Sequence, residues 1–256
     1  MSQAPPPELI QKAANACATD QIEELRTLIP NQVPPDSAIK KCFISGFRHS
    51  GGTLLHVCAH FGSTNCAAYL IRHGASPNII DKNHRTPLLL ASWQGSVPIV
   101  VALLRAGADP NIQEECSFFP LHRAAIRGFA DIIQHLVKGG TDPNCVDYEG
   151  YTPLHLAAKS SHYDACEMLY RLGADPNRAN NFVFTPLDFA KRYGFDDIVQ
   201  LLTTSRSKLV SSMSSRGDPL KSVGSNCESQ SAAREASVRD SASSHREASI
   251  LSGNAK

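Results

Sequence analysis

Three histidines recur at one position of a repeated motif, and such a set could in principle hold a metal ion. His56, His122 and His155 lie 66 and 33 residues apart, each as the fourth residue of a short string such as the Thr-Pro-Leu-His that starts at Thr152. Zinc–nitrogen bonds of about 2.0–2.1 Å require ligands that converge on one point. Stacked copies of a repeat are separated instead by roughly a helix diameter, about 10 Å. The spacing favours hydrogen bonding at helix starts, and we expect neither a metal site nor a cofactor.

The sequence contains no pattern that is typical of catalysis. A Gly-x-Ser-x-Gly nucleophile turn, a phosphate-binding Gly-x-x-x-x-Gly-Lys loop and a His-Glu-x-x-His metal motif are all missing. The eight cysteines are scattered and none forms a Cys-x-x-Cys pair. Such cysteines are typical of small buried hydrophobic residues in a reducing compartment. We therefore expect no enzyme activity and no catalytic residues.

Composition and charge narrow the classes of function further. The chain has 256 residues, of which 42% are hydrophobic, and a formal net charge of +1. This charge gives no global field to attract nucleic acid or an anionic membrane. No apolar run approaches the roughly 18 residues that span a bilayer, and the first seven residues contain no apolar signal core. We expect a soluble monomer of the cytoplasm or nucleus that binds neither nucleic acid, nor a membrane, nor a small-molecule substrate.

Two motifs hold the same period along most of the chain. Strings of the type Thr-Pro-Leu-His start 33 residues apart, at Thr53, Thr86, Phe119, Thr152 and Thr185. Strings of the type Gly-Ala-Asp-Pro-Asn run in phase with them, from Gly74, Gly107, Gly140 and Gly173. A Thr-Pro-Leu-His string with this period resembles the ankyrin-repeat family.

Each part of the repeated motif has a physical reason. Thr before Pro starts a helix, because the hydroxyl can cap free backbone N–H groups and Pro has its φ preset for the first helical position. Small residues such as Ala157 and Ala158 let neighbouring helices pack closely, and a glycine such as Gly128 ends the helix in a tight turn. The resemblance implies an all-α ankyrin-repeat solenoid of paired antiparallel helices with β-hairpin-like loops.

The repeats are expected to form one domain over residues 5–204, followed by a tail. A degenerate first copy precedes the five clear ones, which gives six repeats: 5–47, 48–80, 81–113, 114–146, 147–179 and 180–204. The remaining 52 residues, 205–256, include 16 serines and no aromatic residue. Ordering a backbone residue costs roughly 1–2 kcal/mol, and this segment has little apolar area to offset that cost. We expect a disordered C-terminal tail.

The variable positions of the motif indicate where a partner would bind. In the ankyrin repeats that this chain resembles, the two residues after the small pair and the loop tips line a concave groove. Aromatic and arginine side chains are the usual anchors of interfaces. The candidate partner-binding residues are therefore Phe61, Trp93, Ile126, Arg127, Tyr148, Lys159 and Arg192. We expect a groove that is apolar in its middle and basic toward its C-terminal end; the alternative is that the rings pack over one another or beneath the loops.

The function predicted from these features is that of an intracellular protein-interaction scaffold. Two narrower alternatives are a substrate-recruiting adaptor of a ubiquitin ligase and a transcriptional co-regulator. Ligase adaptors carry a C-terminal box rich in Leu and Pro, which the serine-rich tail lacks. The co-regulator alternative rests only on the functions that are common in the family that the chain resembles.

Five residues are candidates for modification. Ser237 and Ser249 each follow an arginine by three residues and precede an apolar residue, a pattern that resembles sites of basophilic kinases. Asn111, Asn144 and Asn177 each have Leu eight residues before and Asp two residues before. This second pattern resembles the one hydroxylated in ankyrin repeats by an asparaginyl oxygenase.

Overall fold

The computed structural model describes residues 5–29, 33–39, 51–114 and 117–203, and these residues form twelve α-helices. In chain order they are α1 (Pro7–Ala18), α2 (Ile22–Leu28), α3 (Leu54–Phe61), α4 (Thr64–Arg72), α5 (Pro87–Gln94), α6 (Val97–Arg105), α7 (Pro120–Arg127), α8 (Ala130–Lys138), α9 (Pro153–Lys159), α10 (Tyr163–Arg171), α11 (Pro186–Tyr193) and α12 (Asp196–Thr203). The expected tail, with Ser237 and Ser249, lies outside the described residues.

The odd-numbered helices from α3 onward begin at the Thr-Pro-Leu-His strings, and local chemistry explains why. The hydroxyl of Thr86 accepts a hydrogen bond from the Leu89 N–H at 3.2 Å, which satisfies a donor that the helix itself leaves free. At the other end of α5, Gly95 adopts φ 85°, a left-handed conformation that side chains other than glycine rarely take. The short turn that follows folds α6 back against α5.

Two layers of helices result from this pairing. The odd-numbered helices, here called the inner helices, pack each on the next, and the even-numbered outer helices do the same from α2 to α12. The Leu of each motif string is fully buried in four successive copies, Leu55, Leu88, Leu121 and Leu154. Full burial of a leucine stabilises the folded state by roughly 1.5–3 kcal/mol, so the recurrence of this residue accounts for the stacking.

The connections between helix pairs have the hydrogen bonds of a tight hairpin. In one such loop the Asp147 N–H donates to the Tyr151 carbonyl and the Gly150 N–H donates to the Asp147 carbonyl, both at 3.1 Å. In the last loop the residue equivalent to Gly150 is Val183, at φ 66° and 80% exposed. A β-branched residue is strained there. Within the described ranges the only β pairing is an isolated bridge between Ala38 and Thr53.

The all-α solenoid of helix pairs with hairpin-like loops, which the sequence predicts, is confirmed for the described residues. These residues all belong to one compact unit, Met1–Arg216. A second unit, Gly217–Lys256, lies entirely outside the described residues.

Candidate functional site

The three motif histidines connect neighbouring helix pairs. His122 accepts the Phe119 N–H at Nδ1 (3.3 Å), so the proton lies on Nε2, which donates to the Tyr151 carbonyl of the next pair at 3.0 Å. The Nε2 atoms of the other two histidines make the same hydrogen bond: His56 bonds to the Arg85 carbonyl at 3.0 Å, and His155 bonds to the Phe184 carbonyl at 2.9 Å. Burial lowers the pKa of His122 to about 4, which keeps the ring neutral. In the described part of the chain no three or more His, Cys, Asp or Glu side chains are grouped so as to hold a metal ion.

The cysteines that the structure describes are buried; they are Cys17, Cys58, Cys66, Cys145 and Cys166. Burial raises the pKa of the Cys166 thiol to about 12. A hydrogen bond with Cys58 raises the pKa of Cys17 well above its usual range. Because the thiolate is the reactive form, these two side chains are poor nucleophiles at neutral pH.

The predicted partner-binding residues lie at the C-terminal ends of successive inner helices and at one hairpin tip, a surface here called the inner-helix face. Phe61, Arg127, Lys159, Arg192 and Tyr148 are exposed, whereas Trp93 and Ile126 are half-buried. Tyr148, at the hairpin tip, is 64% exposed. Further exposed rings on hairpins or inner helices are Phe182, Phe184 and Tyr193.

Trp93 is covered by arginine rather than fully open to solvent. The guanidinium groups of Arg123 and Arg127 each lie 5.1 Å from the centre of the Trp93 ring. Arg123 also lies 4.8 Å from the centre of the Phe118 ring and pairs with the buried carboxylate of Glu114. The expectation of an apolar middle is therefore only partly met, because Arg123 occupies the motif position that holds Leu, Val or Phe in the other copies.

Toward the C-terminal end, cations again lie over aromatic rings. The Lys159 ammonium is 5.6 Å from the centre of the Tyr151 ring and 6.0 Å from that of Phe189. The Arg192 guanidinium is 5.9 Å from the Phe184 ring. Phe189 joins these groups, since its ring centre is 5.8 Å from those of both Tyr151 and Phe184.

Sequence reasoning missed three residues that organise this face, Arg123, Tyr151 and Phe189. Arg123 and Phe189 stand at the same motif position, which is aliphatic in the other three clear copies (Val57, Leu90 and Leu156), and Tyr151 directly precedes a Thr-Pro pair. An arginine or aromatic ring at a nominal core position is the signal that could have identified the first and the last of them.

The three asparagines that resemble hydroxylation sites differ in their surroundings. The Asn144 side chain accepts the Asp175 N–H at 2.7 Å and donates to the Gly173 carbonyl at 3.1 Å. Asn111 and Asn177 are exposed, and within the described ranges their side-chain amides make no hydrogen bond. Within the described residues, only Asn144 of the three is thus tied to the next loop.

Comparison with protein families agrees with the geometry. A family model described as ankyrin repeats (3 copies) matches residues 13–114, 95–180 and 121–212. No curated protein matches the chain. None of the helices in the described ranges is long and apolar enough to cross a membrane. The matches cover well over half of the 256 residues, and the chain belongs to the ankyrin-repeat family.

Proposed function

We propose that this protein is an interaction scaffold of the cytoplasm or nucleus, which binds a segment of a partner protein along the inner-helix face. Ankyrin repeats are general protein–protein interaction modules. The observation that carries the proposal is the set of exposed rings and cations at the C-terminal ends of four inner helices: Phe61 on α3, Arg127 on α7, Lys159 on α9 and Arg192 on α11. Cation–ring contacts at such solvated positions contribute only about 0.5–1 kcal/mol each to the free solenoid.

The exposed rings support the same conclusion. Tyr148 is 64% exposed, Phe182 is 55% exposed and Tyr193 is 49% exposed, all in the C-terminal half of the described repeats. Aromatic side chains that a partner desolvates are typical energetic anchors, and truncating one costs about 2 kcal/mol or more of binding free energy. Clustered exposed rings are therefore more informative than single exposed hydrophobic residues, which are ordinary on protein surfaces.

Affinity capture from a cell lysate tests the proposal. The full chain, a Tyr148→Ala/Phe182→Ala variant and a control Arg105→Ala/Lys138→Ala variant serve as bait; Arg105 and Lys138 are exposed at the ends of outer helices. Proteins that bind the inner-helix face should be retained by the wild type and the control and lost with the ring variant. Identical capture by all three baits contradicts the proposal.

The identity of the captured proteins also separates the narrower roles. Subunits of a ubiquitin ligase together with a substrate would assign an adaptor function, and transcription factors would assign a co-regulator. Circular dichroism of each bait verifies that the substitutions leave the helices intact, which is expected because the substituted side chains are exposed.

A further inference from the structure

The last hairpin of the described repeats has an apolar tip, unlike the hairpin between α4 and α5. Its three tip residues are all exposed and hydrophobic: Phe182, Val183 and Phe184. The residues at the same positions of the earlier hairpin are all polar: Asn83, His84 and Arg85. Single exposed hydrophobic residues are ordinary on a soluble protein, whereas a run of three marks a contact surface.

Val183 is unfavourable for the fold in its observed conformation. Its φ of 66° is left-handed, and the equivalent residue of the preceding hairpin is Gly150, at φ 80°. A β-branched residue is strained in this region, and burial does not offset the strain because the Val183 side chain is 80% exposed. Strained residues of this kind cluster at ligand-binding sites. The stability of the hairpin therefore does not explain a valine at this position.

A cluster of rings joins the apolar tip to helix α11. We call it the C-terminal ring cluster, and its members are Tyr151, Phe182, Phe184, Phe189 and Tyr193. The Tyr151 ring centre lies 6.4 Å from that of Phe182 and 5.8 Å from that of Phe189. Phe189 in turn lies 5.8 Å from Phe184 and 6.4 Å from Tyr193. Because the exposed rings pack on the buried Phe189 or on Tyr151 in the free protein, they have less freedom to lose on binding.

Two cations lie over this cluster and have no acidic partner among the described residues. The Lys159 ammonium is 5.6 Å from the Tyr151 ring centre, and the Arg192 guanidinium is 5.9 Å from that of Phe184. Neither cation forms an ion pair with another described residue. A guanidinium over a ring keeps its N–H edge available for a carboxylate.

The carboxylates of the same hairpins and helix already bond within the fold. Asp147 accepts two backbone N–H groups of its own hairpin, both at 2.9 Å. Asp188 accepts the Thr185 N–H at 2.9 Å, and Glu149 accepts the Tyr148 hydroxyl at 3.1 Å. The two cations over the ring cluster thus remain available for carboxylates of a partner.

Charge also distinguishes between the possible occupants of the cluster. Residues 205–256 contain eight Lys and Arg against five Asp and Glu, so the chain's own C-terminal residues carry the same sign as the two cations. Single-stranded nucleic acid also stacks on rings beside cations, but its binding requires a more positive protein than one with a net charge of +1. An acidic protein segment fits both the rings and the cations.

We propose that the C-terminal ring cluster binds an acidic protein segment through a large apolar side chain. This side chain packs on the exposed rings and on Val183, and neighbouring carboxylates of the segment pair with Lys159 and Arg192. The inference rests on the proposed function, and it specifies where the partner binds and which chemistry the partner segment has.

Selection from a random peptide library displayed on phage tests this chemistry. The full chain should enrich peptides that carry Asp or Glu beside a large apolar residue, and a Lys159→Glu/Arg192→Glu variant should lose the acidic bias. The matched control, Arg105→Glu/Lys138→Glu, reverses two exposed charges on outer helices and should keep the bias. Enrichment of basic or uncharged peptides, recovery of no peptide, or an acidic bias that survives in the first variant would overturn the inference.

Fluorescence anisotropy with the most enriched peptide locates the binding site. Phe182→Ala should weaken binding of this peptide about tenfold, as expected for an aromatic anchor. Val183→Gly should weaken binding about threefold or more and yet raise the thermal midpoint by about 1–3 °C, because glycine relieves the left-handed strain. His84→Gly relieves the same strain in the earlier hairpin and should leave the affinity unchanged. Unchanged affinity in both Phe182→Ala and Val183→Gly would overturn the inference.

Competition assays exclude the other two occupants. Neither an oligothymidylate nor a peptide of residues 205–220 should displace the enriched peptide from the full chain. Displacement by the oligothymidylate would assign the cluster to nucleic acid, and displacement by the second peptide would assign it to the chain's own C-terminal residues; either result overturns the inference.

The selection also separates this inference from the proposed function. A selection without acidic bias, combined with loss of captured proteins from the Tyr148→Ala/Phe182→Ala bait, overturns the inference and leaves the proposed function standing. The same selection result together with identical capture by every bait overturns both.

Discussion

The junction between the third helix pair (α5 and α6) and the fourth (α7 and α8) differs from the junctions on either side of it. At the fourth-to-fifth junction, His122 donates to the Tyr151 carbonyl, and Asn144 bonds to both Gly173 and Asp175. The second-to-third junction has the same two bridges, from His56 to Arg85 and from Asn78 to Gly107 and Asp109.

Among the described residues, the middle junction lacks both kinds of bridge. Leu89 stands where the flanking pairs have histidine, and the side-chain amide of Asn111 makes no hydrogen bond within the described ranges. Ring contacts are found there instead: Trp93 lies under Arg123 and Arg127, and Phe129 packs so closely on Gly95 that a Cβ would lie 2.6 Å from its ring. Ring contacts are less directional than hydrogen bonds, so we infer that this junction is the least rigidly held.

Acidification is expected to break the histidine-bridged junctions, with the largest effect on stability. Burial lowers the pKa of His122 to about 4, and it lowers the pKa of His56 and His155 as well. The unfolded chain, whose histidines titrate near 6.5, therefore takes up protons first, and stability falls as the pH drops from about 6.5 toward 4. His122 alone corresponds to a loss of about 3 kcal/mol.

Urea unfolding at about pH 7 and pH 4 measures this loss. A His122→Leu variant, which copies the residue of the middle junction, serves as the control, because it should lose about 3 kcal/mol less over the same interval. Equal losses in the two proteins would show that His122 does not carry the pH dependence.

Removing one bridge at neutral pH should have the next largest effect. His155→Leu leaves the buried Thr152 N–H without its partner at 3.0 Å, and an unsatisfied buried group costs about 1–3 kcal/mol. The Phe184 carbonyl loses the His155 donor at 2.9 Å but still accepts the Asn180 N–H. We expect a loss of about 2 kcal/mol in chemical denaturation. His84→Asn is the matched control, since His84 is exposed and Asn tolerates its left-handed φ of 56°. A loss of equal size at both positions would contradict the bridging role.

Installing the missing bridge should strengthen the middle junction. Leu89→His would place a donor opposite the Phe118 carbonyl, as His122 stands opposite Tyr151. A hydrogen bond of this kind contributes about 0.5–1.5 kcal/mol net, which raises the thermal midpoint by roughly 2–4 °C per kcal/mol in a domain of this size. Leu89 is fully buried outside the main apolar core, at the motif position that His56, His122 and His155 occupy in other copies. A lower thermal midpoint in the variant would mean that packing of the Leu89 side chain stabilises the middle junction more than the added hydrogen bond does.

The regular junctions could be predicted from the sequence and the middle junction could not. The period, the Thr caps and the glycine turns are local, so one copy of the motif is enough to predict them. The position of Trp93, in contrast, depends on Arg123 and Arg127 from the next repeat. Contacts of this kind form only when neighbouring repeats stack. The motif of a single repeat therefore does not predict them.

The backbone geometry of the hairpins could not be predicted from the sequence for a related reason. The left-handed residue of the hairpin is Gly150 in one loop but Val183 in another. Because the paired backbone on both sides fixes that conformation, it persists where local preference opposes it. Exposure of Phe182 beside Val183 follows from this fixed turn and not from either residue alone.

The two asparagines that distinguish the junctions should differ by about 1–2 kcal/mol. Asn144→Ala removes two hydrogen bonds to the backbone of the next loop, at 2.7 and 3.1 Å, whereas Asn111→Ala removes none that the described residues show. Chemical denaturation should therefore show a measurable loss for Asn144→Ala and a change within about 0.5 kcal/mol for Asn111→Ala. Equal losses would contradict the asymmetry.

The same asymmetry predicts an order in which the three asparagines are modified. The pattern around Asn111, Asn144 and Asn177 resembles the one that an asparaginyl oxygenase hydroxylates in ankyrin repeats. An enzyme must draw the asparagine into its own active site, and for Asn144 this first requires breaking the bonds to Gly173 and Asp175. Asn111 has no such bonds within the described ranges. Mass spectrometry of the protein from oxygen-replete cells should therefore find an added oxygen more often on Asn111 than on Asn144. Equal or higher occupancy at Asn144 would contradict the structural ordering, and the lack of added oxygen at all three would contradict the resemblance itself.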